Sequence, residues 1–209
     1  MDELLECIKH TDQKDSKEIE KRWEEFKRMR NADEREWFSE LCFCILTANT
    51  SAEMGIRVQN ALGYEGFAHT PPEELPRKLK EAGSRFYNTR AKYIIGARKF
   101  DGMLKKKIQE YEDPRDAREW LVKNIKGLGY KEASHFLRNV GVGNNLAIVD
   151  LHILRMLNKH GIVNVKKPIT KKKYVEIEKV LNQLAEKSKM PMGKLDLYLW
   201  YLSSGKVLK

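Results

Sequence analysis

The sequence predicts an all-α protein, on three observations. Apolar residues recur at helical spacing along most of the 209-residue chain, helix starts and stops are marked at several points, and period-two alternation is almost absent. Trp23 and Phe26 lie on one face of a charged segment, and Trp37, Leu41 and Ile45 repeat at i, i+4, i+8. Thr70, Pro71 and Glu73 fit an N-cap, a first-turn proline and a capping-box acid, with Gly83 as the stop. Asp113 and Pro114 open another helix that runs through Trp120 and Leu121. Thr170 opens a long one with Tyr174, Ile177, Leu181 and Leu184 along one side. There is no repeat at solenoid spacing and no Ser/Gly- or Pro-rich linker. Any division into two units must therefore be compact, with a cleft in place of a tether.

Hydrophobic residues make up 41% of the chain, enough for a sizeable core. Charged residues make up 33% and are interspersed with apolar ones, which argues against disorder. Lys and Arg number 40 against 30 acids, a formal charge of +10. Such a field speeds encounters with nucleic acid without choosing a sequence, and it also fits a generic basic protein. The cysteines are Cys7, Cys42 and Cys44. An odd number without four-cysteine spacing argues against a disulfide framework, a structural zinc or an iron–sulfur cluster, and Cys42 and Cys44 read as core. No apolar run reaches the ~18–20 residues that span a bilayer. The start, MDELLECIKH, has no signal-peptide pattern, so a soluble, intracellular (cytoplasmic) protein is expected. The densest basic run, KKPITKKKY from Lys166 to Tyr174, reads as a solvated loop and helix start.

Chemistry concentrates between Asn124 and Leu157, NIKGLGYKEASHFLRNVGVGNNLAIVDLHILRML. A helix breaks at Gly127-Leu128-Gly129 and a new one takes in Lys131. Two glycines one residue apart allow a tight turn and a close approach to another surface. The free N–H groups of the next helix then suit a phosphate, although most such turns are only turns. Lys131 sits in the first helical turn, where the dipole disfavours a positive charge. A neutral amine, with its lone pair, is what lysine nucleophiles need. On position alone a surface lysine fits equally. Asp150, nineteen residues later, follows the apolar Leu146–Val149 and precedes the amphipathic Leu151–Leu157. As an N-cap it contributes about 1 kcal/mol. If the two helix N-termini share a pocket, the same carboxylate can stabilise an oxocarbenium-like charge on a sugar. His135, one turn after Lys131, lines that pocket or simply packs, and packing is the plainer reading.

The pattern GLGYKEA followed by IVDLHILRML resembles the helix-hairpin-helix and Lys/Asp pair of the endonuclease III superfamily of DNA glycosylases. Leu46-Thr47-Ala48-Asn49-Thr50 resembles the loop with which that superfamily probes the minor groove. With the C-terminal KVLK, the chain is most similar to the second, archaeal-type family of 8-oxoguanine DNA glycosylase/AP lyases, over essentially its whole length. The resemblance implies that Lys131 attacks C1′ of the damaged nucleoside and forms a Schiff base leading to β-elimination, with Asp150 as its acid. It implies that Gly127, Gly129, Lys126 and His152 address the DNA backbone. Asn49 wedges into the gap left by the flipped base, or only ends a helix. The base would be held by the terminal carboxylate of Lys209 and sandwiched by Trp200 and Phe86, with Asp196 one turn before Trp200. Leu195, Leu199 and Leu202 make core packing an equally natural role for Trp200. Gly205 would reverse the chain and bring the tail back over Trp200, anchored by Val207 and Leu208.

The implied architecture is a helical barrel from 31 to 140 ending in the hairpin. A second helical subdomain, 1–30 with 141–209, would carry Asp150 and the base-recognition tail. Duplex DNA containing oxidised guanine would lie in the cleft of a monomer, with Lys131 and Asp150 on opposite walls. No cofactor or catalytic metal is implied, although superfamily hairpins can hold a monovalent cation through backbone carbonyls. The hairpin departs from the common LPGVG by reading IKGLG, which keeps the glycines and adds the charge of Lys126. Two alternatives remain open: a sister glycosylase for oxidised pyrimidines or mispaired bases, and a non-catalytic hairpin module that only holds DNA.

Overall fold

The computed structural model describes residues 1–165 and 168–209, with residues 13–15 by their backbone alone. Lys166 and Lys167 of the basic run lie outside the described residues. Among those described, the chain is helical without a strand. In order the helices are α1 (Asp2–Met29), α2 (Glu34–Thr47), α3 (Ala52–His69), α4 (Leu75–Glu81), α5 (Tyr87–Ala97) and α6 (Leu104–Gln109). They continue with α7 (Pro114–Asn124), α8 (Tyr130–Asn139), α9 (Leu151–Lys159), α10 (Lys171–Ser188) and α11 (Met192–Ser204). No helix among the described residues is long and apolar enough to cross a membrane.

Local capping explains several of the starts. Asp113 accepts from the Arg115 N–H at 2.8 Å, Asp150 from Ile153 at 2.8 Å and Thr170 from Lys173 at 3.2 Å. The expected start at Thr70-Pro71-Glu73 is corrected. Thr70 ends α3, residues 71–74 form a turn closed by the Glu74 N–H on the Pro71 carbonyl, and α4 starts only at Leu75 with Pro76 in its first turn. The cause is tertiary. Arg98 donates to the carbonyls of Phe67 (2.9 Å) and Thr70 (2.7 Å), which fixes this stretch as the exit of α3.

Two apolar cores divide the molecule. The first draws on residues from Trp37 to Leu146 and is built around α2, which is apolar nearly all round, as a central helix must be. Cys42 and Cys44 lie fully buried in it, and burial pushes both thiols well above their usual range. The second core packs Leu4, Ile8, Ile19, Trp23 and Phe26 of α1 against α9, α10 and α11. Tyr174, Ile177, Leu181 and Leu184 all point into this second core.

Candidate active site

A cleft of about 1030 Å³ opens where the hairpin, the start of α9, the end of α11 and the loop after α2 converge. The hairpin sets one wall. Gly127 has φ +93°, and a Cβ there would lie 2.4 Å from Tyr93 Cδ2, so only glycine fits. Leu128 is buried in the first core and pins the turn to it. Gly129 has an ordinary φ of −92°, and its N–H donates to Glu132 at 3.1 Å, closing the first turn of α8.

Along α8, Lys131, His135 and Arg138 follow at i, i+4 and i+7 and all reach the cleft. The Lys131 side chain is 24% exposed, with Nζ 3.7 Å from Glu132 Oε1. His135 packs edge-on to Phe43. Burial drives the imidazole well below its usual range, and the charges of Arg138 and Lys131 reinforce this, so the ring is neutral. Arg138 lies over the Phe26 ring and pairs with Asp196 at 3.5 Å. Burial pushes the Asp196 carboxyl up to about 7; Arg138 opposes the rise, Asp150 adds to it and Lys131 lowers it.

The opposite wall begins with Asp150, whose Oδ1 caps α9. Capping fixes this half-buried carboxylate at a helix terminus on the cleft. His152 and Trp200 lie against each other with ring centroids 4.2 Å apart, and His152 Nδ1 is 3.0 Å from Ser203 Oγ. Gly205, with φ +68°, stops α11 and turns the tail back; Val207 packs on the second core, and Leu208 and Lys209 line the cleft. Lys209 Nζ reaches Glu40 at 2.6 Å. Between the walls runs the loop after α2, where Asn49 is exposed with φ +56° and the Ala48 carbonyl accepts from Arg90.

The fold thus brings Lys131, Asp150, Gly127, Gly129, His152, Asn49, Asp196, Trp200 and Lys209 to one cleft. Lys126 is exposed on the hairpin, off the cleft wall. Phe86 is also off the wall: its ring is 53% exposed at φ +55°, beneath the guanidinium of Arg85, which does line the cleft. The basic run is more than a solvated loop. Its residues Pro168 to Lys171 line the cleft, and Lys171 pairs with Glu119 at 2.9 Å. Sequence reasoning missed Arg138 and Glu40. The polar stripe on α8 was a signal for Arg138, and an acid within the apolar run that follows the first turn of α2 was one for Glu40.

A model of the 8-oxoguanine DNA glycosylase family matches residues 19–190. The 8-oxoguanine DNA glycosylase/AP lyase of Methanocaldococcus jannaschii is 50% identical over 206 residues, covering 98% of this chain and 97% of that protein. The protein of the same name from Thermotoga maritima is 47% identical over the whole of both chains. The crystal structure of the Methanocaldococcus jannaschii 8-oxoguanine glycosylase/lyase with a 15mer DNA containing 8-oxoguanine aligns at a TM-score of 0.94, with 48% identity over 99% of each chain. A Helicobacter pylori 3-methyladenine DNA glycosylase, 19% identical at a TM-score of 0.60, shares the fold. With hairpin, Lys131 and Asp150 all inside the matched stretch, and relatives alike from end to end, this chain belongs to the 8-oxoguanine DNA glycosylase family.

Proposed function

We propose that the cleft takes 8-oxoguanine turned out of a DNA duplex, cuts it from its sugar and then opens the strand at the abasic site. The observation that carries this reading is the meeting of Lys131 and Asp150, each at a helix N-terminus, on one cleft large enough for a nucleoside. The Lys131 amine attacks C1′, the bond from C1′ to the base breaks, and the base leaves with the electron pair and takes up the proton that the amine sheds. Asp150 stabilises the positive charge that builds on the sugar. The C1′–O4′ bond then opens, with O4′ taking up a proton, to give a Schiff base that acidifies C2′–H, and β-elimination breaks the C3′–O bond.

The base stacks on Trp200, while the Lys209 carboxylate accepts from its N1–H and exocyclic amine. Adenine, without N1–H, lacks half of this contact. Asp196 and the neutral His135 supply further polar edges at the inner end. Exposed Phe86 meets the duplex beside the pocket, with Arg85 at the rim. Asn49, already in a left-handed conformation at a loop tip, fills the space the base vacates. The hairpin amides, Lys126 and His152 take the phosphates. At Ile125 the backbone leaves helical dihedrals (φ −115°, ψ 109°). Carbonyls of this turn would hold a monovalent cation, which would supply positive charge for a backbone phosphate. The two cores act as two subdomains around the DNA of the cell.

Borohydride trapping on an 8-oxoguanine duplex tests the reading. The wild type is expected to give a covalent adduct. Lys131→Gln is expected to give none and to release no base, while binding DNA within about tenfold of wild type, because the amine is the nucleophile and not the anchor. An adduct from Lys131→Gln, or none from the wild type, contradicts the assignment.

A further inference from the structure

Glu40 is an acid in the middle of an apolar helix, 4% exposed between Trp37 and Leu41. A buried carboxylate is costly unless paired and hydrogen-bonded. Its partners come from three other parts of the chain: Asn139 Nδ2 on α8 at 2.6 Å, Gln59 Nε2 on α3 at 3.3 Å, and the ammonium of Lys209 at 2.6 Å. That ammonium also sits 4.5 Å from the centroid of the Phe43 ring. Glu40 belongs to the helix at the centre of the first core, whereas Lys209 hangs from α11 in the second. The pair therefore ties the tail across the division between the two cores.

Four residues beyond a helix end ordinarily fray. Two side-chain ion pairs oppose that here, alongside the packing of Val207 on the second core, and the pairs are unequal. Lys206 pairs with Glu53 at 3.0 Å, but both are well exposed (61% and 49%), and such pairs contribute little. Lys209 and Glu40 are 18% and 6% exposed, so water screens them far less.

We propose that Glu40 is a positioning residue for base selection: by seating the ammonium of Lys209 it fixes the tail, with its carboxylate, against the inner wall of the pocket. This rests on the reading of Lys209 as a base contact. It gives lysine a reason to stand at that position, since any residue supplies a backbone carboxylate but only a long cation reaches the buried acid. Glu40 touches no part of the DNA and acts through Lys209 alone.

The test is a set of single-turnover measurements on an 8-oxoguanine duplex and on a preformed abasic duplex. Glu40→Gln keeps the shape and, through its amide oxygen, the contact with Asn139, while its –NH2 faces Gln59 and Lys209 and accepts from neither; Lys209→Met keeps the backbone carboxylate. Each is expected to slow excision about ten- to a hundredfold, the usual cost of a contact displaced by about an ångström. The double variant is expected to be no slower than the slower single one, because both remove one interaction. Lys209→Arg is expected to recover most of the excision rate. Glu40→Gln is expected to cleave the abasic duplex at close to the wild-type rate and to exchange the amide hydrogens of residues 206–208 faster. Unchanged excision in Glu40→Gln, additive losses in the double variant, or parallel loss of excision and abasic cleavage would each overturn the proposal. Deleting Lys209 separates the two layers. If the deletion leaves excision intact, the reading of Lys209 fails and the proposal with it. If it abolishes excision while Glu40→Gln does not, only the role of Glu40 fails.

Discussion

Arg118 of α7 and Glu178 of α10 meet in a buried two-point ion pair, Nη1 to Oε1 at 2.7 Å and Nη2 to Oε2 at 2.8 Å, with side chains only 3% and 4% exposed. The same groups reach further. Arg118 donates to Ser134 Oγ on α8, and Glu178 accepts from the Ala147 N–H, three residues before Asp150. The helix that carries Lys131 and the segment that carries Asp150 are thus registered to each other through one ion pair.

Breaking it strands a buried charge. Arg118→Met is expected to lower unfolding free energy by about 3–5 kcal/mol, measured by urea denaturation. Arg118→Met with Glu178→Leu is expected to recover part of that loss. A single variant within 1 kcal/mol of wild type, against the ~3–5 expected, would show that other contacts, among them the Tyr174 hydroxyl on Ser134 and Ala147, set the register.

The two hairpin glycines are expected to behave differently. Gly127→Ala must hold φ +93° with a Cβ 2.4 Å from Tyr93, whereas at Gly129 the φ is −92° and the nearest contact is 3.1 Å, to the movable Glu132 carboxylate. Gly127→Ala should cost about 1–3 kcal/mol of stability and weaken binding to damaged and undamaged duplex alike. Gly129→Ala should do much less. Fluorescence anisotropy on both duplexes reads this, and a lesion-selective loss would contradict the assignment of the hairpin to the backbone.

Asp150→Asn separates capping from chemistry. Asn caps a helix about as well as Asp, so the melting temperature should stay close to wild type. Single-turnover excision should fall far more than affinity, because the charge acts mainly in the transition state. Near-wild-type single-turnover rates would reduce Asp150 to a cap.

Asp196 gives a pH signature. Its carboxyl stands near 7 in the folded protein, against about 3.9 when unfolded. The folded state therefore holds a proton that the unfolded chain has released. The stabilisation is fully present below pH ~4 and is lost as pH rises through about 7. Arg138, Asp150 and Lys131 are the charges that face the group. Asp196→Asn removes this slope, so the stability of wild type relative to the variant should fall between about pH 4 and about pH 7, the window set by those two values. Denaturation curves at a series of pH values with a constant offset would rule out a buried, proton-holding Asp196.

What could be read before folding was local. The caps at Asp113, Asp150 and Thr170 depend on residues two or three positions away, and all three form. Thr70 has the same local grammar and fails, because Arg98, twenty-eight residues on, takes its carbonyl. The residues that escaped notice have distant partners: Glu40 finds Asn139 and Lys209, and Arg138 finds Asp196. No spacing along the chain encodes such pairs. Phe86 was hidden differently, since nothing in its side chain marks a left-handed backbone that turns the ring outward.

Peroxide attacks thiolates far faster than thiols, and the damage climbs from sulfenic to sulfonic acid once the first step is taken. Cys42 and Cys44 sit at the centre of α2 with no exposed surface, and burial keeps both protonated. Oxidants thus find neither exposed sulfur nor thiolate at the heart of the first core. Cys7 is only half-buried, but it lies on α1 and takes no part in the cleft. The damage that makes 8-oxoguanine is oxidative, and this chain keeps the cysteine sulfur of its first core out of contact with the solvent that carries such reagents.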